Sequence, residues 1–551
     1  MWYIIIFAAQ IPQNILMTLT RILIAIAFLV ASSTCVNAQK LVSKSKNAEA
    51  YAGKVTKRKP GETIDEFISM TKDEFKIKLR SKDTYEFVTY DSDLNQIDSR
   101  TEQIVEKKKK DYGKADWYIF EFGESRYLLK GITDRDNEQN VFNITEIDEN
   151  DDEVASPIEL ATIKGKEYYY VIENADLDYD FSDDGSKLMV SFKLPELRDK
   201  DNIKYKRYQY FVFNEDMQLE WSKVVDFKHK GGRNQYGGAA RVSNDGEIYG
   251  WARVDRGRSY KKQERWSLDL YRFNKDEEAS TTIKGVDPNG ITTDIRDGVY
   301  SLFSTYSVRG FVLFGFGNPG GHIGFLSVKW NGGDREKPQV LKTAFGAEHA
   351  SKNQPTKERK KHKAREKKDK DIYIPHLVVD EVILLEDGSH LVIAQEKFSV
   401  TTTSKSGFTR TKYYNLDIHI FGLDSEFRIQ WSNIIPCYQL MGSTVHSGYV
   451  RKLIGDKLYF VFNDNYRNLE KEWNTTKKPN RFSGGDHPTS IVTLDLTDPE
   501  AKQKRELLWK SKSVGGSFRT DLYYSPDDLT SGLVYIQGGK LKQGLVRIDY
   551  Q

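Results

Sequence analysis

Alternation of apolar and polar positions dominates this chain. From Lys206 to Val225 (KRYQYFVFNEDMQLEWSKVV) apolar and aromatic residues recur at every second position, break at a polar turn, and resume. That spacing predicts strand, tight turn, strand. The pattern returns over Tyr414–Ile435, which ends IFGLDSEFRIQWSNII. Aligned on Trp221 and Trp431, both copies read Asn or Asp, two residues, a large apolar residue (Met217, Phe427), one residue, an aliphatic, one residue, then Trp-Ser. Weaker echoes lie at Tyr90–Ser99 and Tyr271–Ala279.

Three further segments carry Asp-Gly inside alternating apolar positions: 181–192, 242–254 and 384–398. Asp-Gly marks a tight hairpin because the turn needs positive φ, which Gly accepts freely. Each hairpin is followed by a polar connection and an aromatic strand, so the repeating unit is a four-stranded antiparallel sheet. Units at 116–160, 167–227, 235–285, 291–341, 372–436 and 445–510 predict an all-β fold, a β-propeller. The tail from 517 to 551 offers three strands, and Thr84–Ile97 is the expected source of the fourth, closing the ring by pairing the two ends of the chain. That gives seven blades, or eight if 74–115 is a unit of its own.

Composition agrees. Tyr (31) and Phe (28) are plentiful and Pro is sparse (14), as a pleated, half-buried surface requires. The turn motifs also carry a resemblance. FSDDGSKLMV is similar to the Ser-Pro-Asp-Gly-Ser-Lys hairpins of TolB-like and WD40-like propeller repeats. NEDMQLEWS resembles the Asp-x-x-Gly-x-x-x-Trp turn of pyrroloquinoline-quinone-type repeats, although Met217 stands where that turn has Gly. The resemblance implies the fold and nothing about activity.

The ends of the chain read differently. Arg21, the apolar run Ile22–Ala31 and the small-x-small triplet Val36-Asn37-Ala38 make residues 1–38 a secretory signal peptide, with Met17 the better translation start. This predicts export to the bacterial periplasm or beyond. Residues 39–73 are Lys-rich and aperiodic and read as a polar tether with a short helix near Ile64–Met70; the propeller is expected over 74–551. Past the leader only Cys437 remains, so no intrachain disulfide is expected and the thiol is expected to be buried.

The charge is uneven. Residues 351–371 hold ten Lys and Arg against four Asp and Glu, while the rest of the chain has more acids than bases. The block reads as a disordered basic insertion, and Lys357, Arg359, Lys360, Lys361, Lys363, Arg365, Lys367 and Lys368 are candidates for contact with an anionic partner. It has no interleaved aromatic residues, which argues against nucleic acid.

Asp176, Asp178 and Asp180 alternate along one strand, a density of oxygen ligands that would suit Ca²⁺. Asp91, Asp93, Asn95 and Glu102 fit EF-hand positions, but Gln96 replaces the Gly that its loop needs, so turn carboxylates are the better reading. Gly315-Phe-Gly317-Asn-Pro-Gly320 is followed by a strand where a dinucleotide site needs a helix. Protease, esterase and P-loop signatures are absent, and the nine His are scattered. Tyr168–Tyr170, Tyr413-Tyr414 and Tyr523-Tyr524 could stack on sugars at a propeller mouth, but consecutive side chains on a strand point to opposite faces, so at least one of each run must be core and core is the better reading.

These features point to a binding or scaffold protein of the bacterial cell envelope, a monomer or the subunit of a larger complex. It would need no cofactor and would recognise a protein or polysaccharide through loops that do not repeat. A glycoside hydrolase or lyase with carboxylates in the central funnel is the alternative, as is a subunit of an envelope or secretion machine. Charged groups from three blades converging in the funnel would favour the enzyme; a small, apolar lining would sink it.

Overall fold

The computed structural model describes residues 50–550 apart from several segments, the longest being 104–115, 165–176, 256–264, 308–321 and 470–478. The described residues form eight antiparallel sheets whose four main strands follow chain order in all but the last, with a short extra strand in two of them, Arg241–Val242 and Gln439–Met441. The fold is a β-propeller of eight blades, the larger of the two expected counts. Blade one spans Thr63–Met70 to Gln96–Gln103, and blade eight combines Ser517–Tyr524, Ser531–Gln537 and Gln543–Tyr550 with the first strand of the chain, Ala50–Lys57.

The two ends of the chain do pair, but not through the expected segment. Thr84–Asp91 is taken by its own unit, between Glu74–Arg80 and Gln96–Gln103, where Phe75, Ile77, Leu79, Val88 and Tyr90 share one buried face. Ala50–Lys57 closes the ring instead, running antiparallel to the last strand from Ala50 opposite Tyr550 to Lys57 opposite Gly544. Ala50–Lys57 and Thr63–Met70 are therefore strands inside the stretch that composition marks as a tether and a short helix. Their Lys, Thr and Gly content hides the alternation; sheet pairing overrides local propensity. Residues 1–38 lie outside the described residues.

From blade three to blade six the inner strands meet one another: Asp178–Phe181 touches Arg241–Val242, which touches Asp287–Arg296, which touches Leu377–Leu384. Apolar side chains of neighbouring blades interlock between the sheets. The clusters around Phe142–Phe192, Tyr210–Phe273, Tyr249–Tyr300 and Phe325–Phe421 each join two blades.

The two turn signals sit at opposite corners of a blade. The Asp-Gly hairpins join first and second strands, with Gly185, Gly246 and Gly388 at φ of 71°, 74° and 80°. The repeated Asn/Asp turn joins third and fourth strands, and its left-handed residue is not Gly: Leu94, Met217 and Phe427 stand at φ of 63°, 57° and 62°. Their side chains are buried against the preceding blade, so packing offsets a backbone cost of roughly 1–2 kcal/mol. Trp221, the landmark of the repeat, faces the following blade and donates its indole N–H to the Gly246 carbonyl at 3.2 Å.

The described part of the basic insertion is helical rather than disordered. Ala347–Ser351 and Thr356–Glu366 form two helices, tied by the Ala347 N–H donating to Glu366 Oε1 at 2.8 Å. Arg365 lies over the Tyr373 ring at 4.9 Å and donates to the Asp371 carbonyl, so the end of the helix is held on the protein. Among the described residues no helix is long and apolar enough to cross a membrane.

Candidate functional site

A cleft of about 970 Å³ opens against the inner strands of blades six, seven and eight. Asp380 and Glu381 come from Leu377–Leu384, Arg451 and Lys452 from Val450–Ile454, and Asp521, Tyr523 and Tyr524 from Ser517–Tyr524. The outer wall is Lys397, Phe398, Tyr413 and Asn415, from the long hairpin of blade six.

Irregular backbone builds this cleft. Two adjacent residues of a regular strand cannot both face one side. At Asp380 the pairing slips, with Val379 opposite Ala394 and Glu381 opposite Ile393, and this bulge presents Asp380 and Glu381 to the same space. Blade eight slips further: Arg519 faces Tyr535 and the next pair is Tyr523 with Val534, so Thr520–Leu522 bow out. Thr520 is caught there by the connection from blade six to blade seven, donating its N–H to the Val445 carbonyl and its hydroxyl to the Ser447 carbonyl at 2.6 Å. Buried amides pin that connection. Asn463 donates to the carbonyls of His446 and Phe518, and Gln439 to those of Gly448 and Asn463.

Each acid of the cleft has a cation. Asp380 accepts from Lys397 Nζ and, at 2.7 Å, from the Tyr449 hydroxyl. Burial, then the neighbouring Asp380, push the Tyr449 phenol well above its ordinary value, so it stays a donor. Glu381 pairs with Arg451 across the blade boundary, and Asp521 pairs with Arg519. Lys452 donates to the Pro526 carbonyl. Around these paired charges stand aromatic faces: Phe398 stacks on Tyr414 at 4.5 Å, and Tyr523 shares a hydrogen bond with Tyr550 at 3.0 Å. A charge-balanced, tyrosine-rich and hydroxyl-rich cleft can hold a polyhydroxylated or amide ligand by stacking and hydrogen bonds.

Of the residues singled out by sequence, Tyr413, Tyr523 and Tyr524 line this cleft, and the other described ones lie elsewhere. Asp178 and Asp180 sit on the inner strand of blade three, while Asp176 is outside the described residues. Asp180 accepts from Arg241 and, at 3.0 Å, from the Val242 N–H, both of blade four. Burial raises its carboxyl above the usual range, with Arg241 pulling the other way. Asp178 caps the N–H of Tyr179. Among the described residues no three His, Cys, Asp or Glu gather as a metal site. Asp91 caps its own turn through the N–H groups of Asp93 and Asn95. Residues 315–320 and Tyr168–Tyr170 are not described. Cys437 is buried and its thiol is pushed well above the ordinary value by burial. Of the basic residues, Lys357, Lys360, Lys361, Lys363, Lys367 and Lys368 are exposed, and Arg359 and Arg365 are half-buried. Sequence reasoning passed over Asp380, Glu381 and Arg451. The available signal was an acid pair in the middle of the aliphatic strand LVVDEVIL.

No family model matches the sequence, and neither does any curated protein. Solved structures do. The chain is similar to prolyl oligopeptidase B from Galerina marginata, at 9% identity and a TM-score of 0.37, over 89% of this chain and 55% of that one. It is also similar to the WD40 domain of SCAP from fission yeast, at 8% identity and a TM-score of 0.36, over 92% and 97% of the two chains. The chain thus spans about half the length of the oligopeptidase. The likeness is one of fold alone.

Proposed function

We propose that this propeller is an exported binding protein of the bacterial envelope that takes a polysaccharide or peptide segment in the cleft of blades six to eight. The observation that supports this is that Asp380, Glu381 and Asp521 are each paired with a cation, Lys397, Arg451 and Arg519, the Glu381 pair tying blade six to blade seven. Tyr413 supplies the face a ligand rests on. Screening the protein against glycan and peptide arrays tests the reading. Retained ligands should be lost with Tyr413→Ala, and retention unchanged by that substitution rules the cleft out.

A hydrolase is the second reading, favoured by the convergence of acids and cations from three blades. It predicts release of reducing ends from a polysaccharide, abolished by Asp380→Asn. Binding without turnover decides for the first reading.

A further inference from the structure

We propose that the ligand is an acidic polysaccharide whose sugar rings lie in the cleft while its carboxylate or sulfate groups meet the cationic helix Thr356–Glu366; this rests on the cleft being the binding site. The helix and the cleft share a face of the ring. Strand direction alternates within each blade, so the hairpin between second and third strands and the connection to the next blade emerge on the same side. The cleft is walled by such a hairpin, which carries Lys397 and Tyr413, and by such a connection, which carries Thr444 to Tyr449. The helix belongs to the preceding connection, between blades five and six.

The two are also joined along the chain. Beyond the helix, Tyr373 holds Arg365, and three residues later the His376 ring stacks on Phe398 at 4.5 Å, on the wall of the cleft. The helix turns Lys357, Lys360, Lys361 and Lys363 to solvent on an anchored backbone, so little ordering is required when they meet an anion. Its positive field extends about a Debye length, roughly 8–10 Å. The acids of the cleft do not oppose this field, since each is matched by a cation. A concave lining of tyrosine and hydroxyl groups suits pyranose rings, which stack on aromatic faces and hydrogen-bond at their edges.

The test uses the full chain in affinity electrophoresis against polygalacturonate, chondroitin sulfate and dextran, with duplex DNA and phosphatidylserine vesicles as further probes. Acidic polymers should retard the protein, and rising salt should weaken the effect. Reversing Lys357, Lys360, Lys361 and Lys363 to Glu should cost about tenfold or more in affinity, since four phosphate-like contacts are lost. Tyr413→Ala should cost about three- to tenfold by loss of stacking. Equal retardation by dextran, insensitive to the helix variant, overturns the acidic ligand and leaves the cleft standing. Retardation lost with the helix but indifferent to Tyr413→Ala overturns the cleft as well. Stronger retention by DNA or by vesicles than by either acidic polymer overturns the proposal in favour of that partner.

Discussion

Glu381 of blade six and Arg451 of blade seven meet through both Nε and Nη2 of the guanidinium, tying two inner strands together at the cleft wall. Asp180 with Arg241 and Arg253 with Asp287 join other neighbouring blades in the same way. Charge in this funnel is structural before it is anything else. Both partners of the Glu381 pair are about a quarter to a third exposed, so solvent discounts its worth. Arg451→Met should lower stability by about 1–2 kcal/mol in urea unfolding, mainly by stranding the Glu381 carboxylate. Adding Glu381→Gln should recover part of that loss.

The left-handed turn residue gives a second expectation. Phe427→Gly removes the backbone cost at φ of 62° but empties a site in the core between blades five and six. The burial term is the larger, about 3–5 kcal/mol against 1–2, so the variant should be less stable by about 2 kcal/mol. A gain in stability would show that the turn is strained without recompense.

Gly422 lies under Trp431, whose ring atoms would sit 2.1 Å from an added Cβ. Gly422→Ala should displace the indole and cost about 1–3 kcal/mol, with a red shift of tryptophan emission. The same change at Gly250, where a Cβ meets open space, is the control.

Acid should weaken the fold through its buried histidines. Burial holds His322 down at about 4, where an unfolded histidine titrates near 6.5. Between those values the unfolded chain binds a proton that the folded one refuses. Stability is therefore full above pH 6.5 and declines as pH falls towards 4, by about 3 kcal/mol from this residue. Burial shifts His376, His390 and His446 in the same direction. Thermal melts of His322→Gln, whose amide can still meet Thr305, should show a shallower loss across that range.

The sequence disclosed the blades because a strand with one face in a core must alternate, and because turn chemistry is local. Units from 116 to 510 fall close to their predicted places, down to the Asp-Gly corners. Ala50–Lys57 was illegible for the opposite reason. It is a strand only because Gln543–Tyr550 offers it an edge, and nothing in AYAGKVTK announces that partner. The cleft was illegible because bulges create it. Asp380 and Glu381 share a space through a slip in pairing, and period-two reasoning sends them to opposite faces. The basic helix was legible in charge and not in form, since a Lys-rich block satisfies the rules for disorder as readily as those for an exposed helix.

The pairing of Ala50 with Tyr550 also dictates an order of events. A chain made from its amino end has to keep Ala50–Lys57 waiting, its edge unpaired, until Gln543–Tyr550 has been made. Contact between residues nearly a full chain apart is the slowest kind to form. Assembly of this ring is therefore expected to finish only once Gln543–Tyr550 is available to Ala50–Lys57, and the unfinished ring is the species most exposed to aggregation.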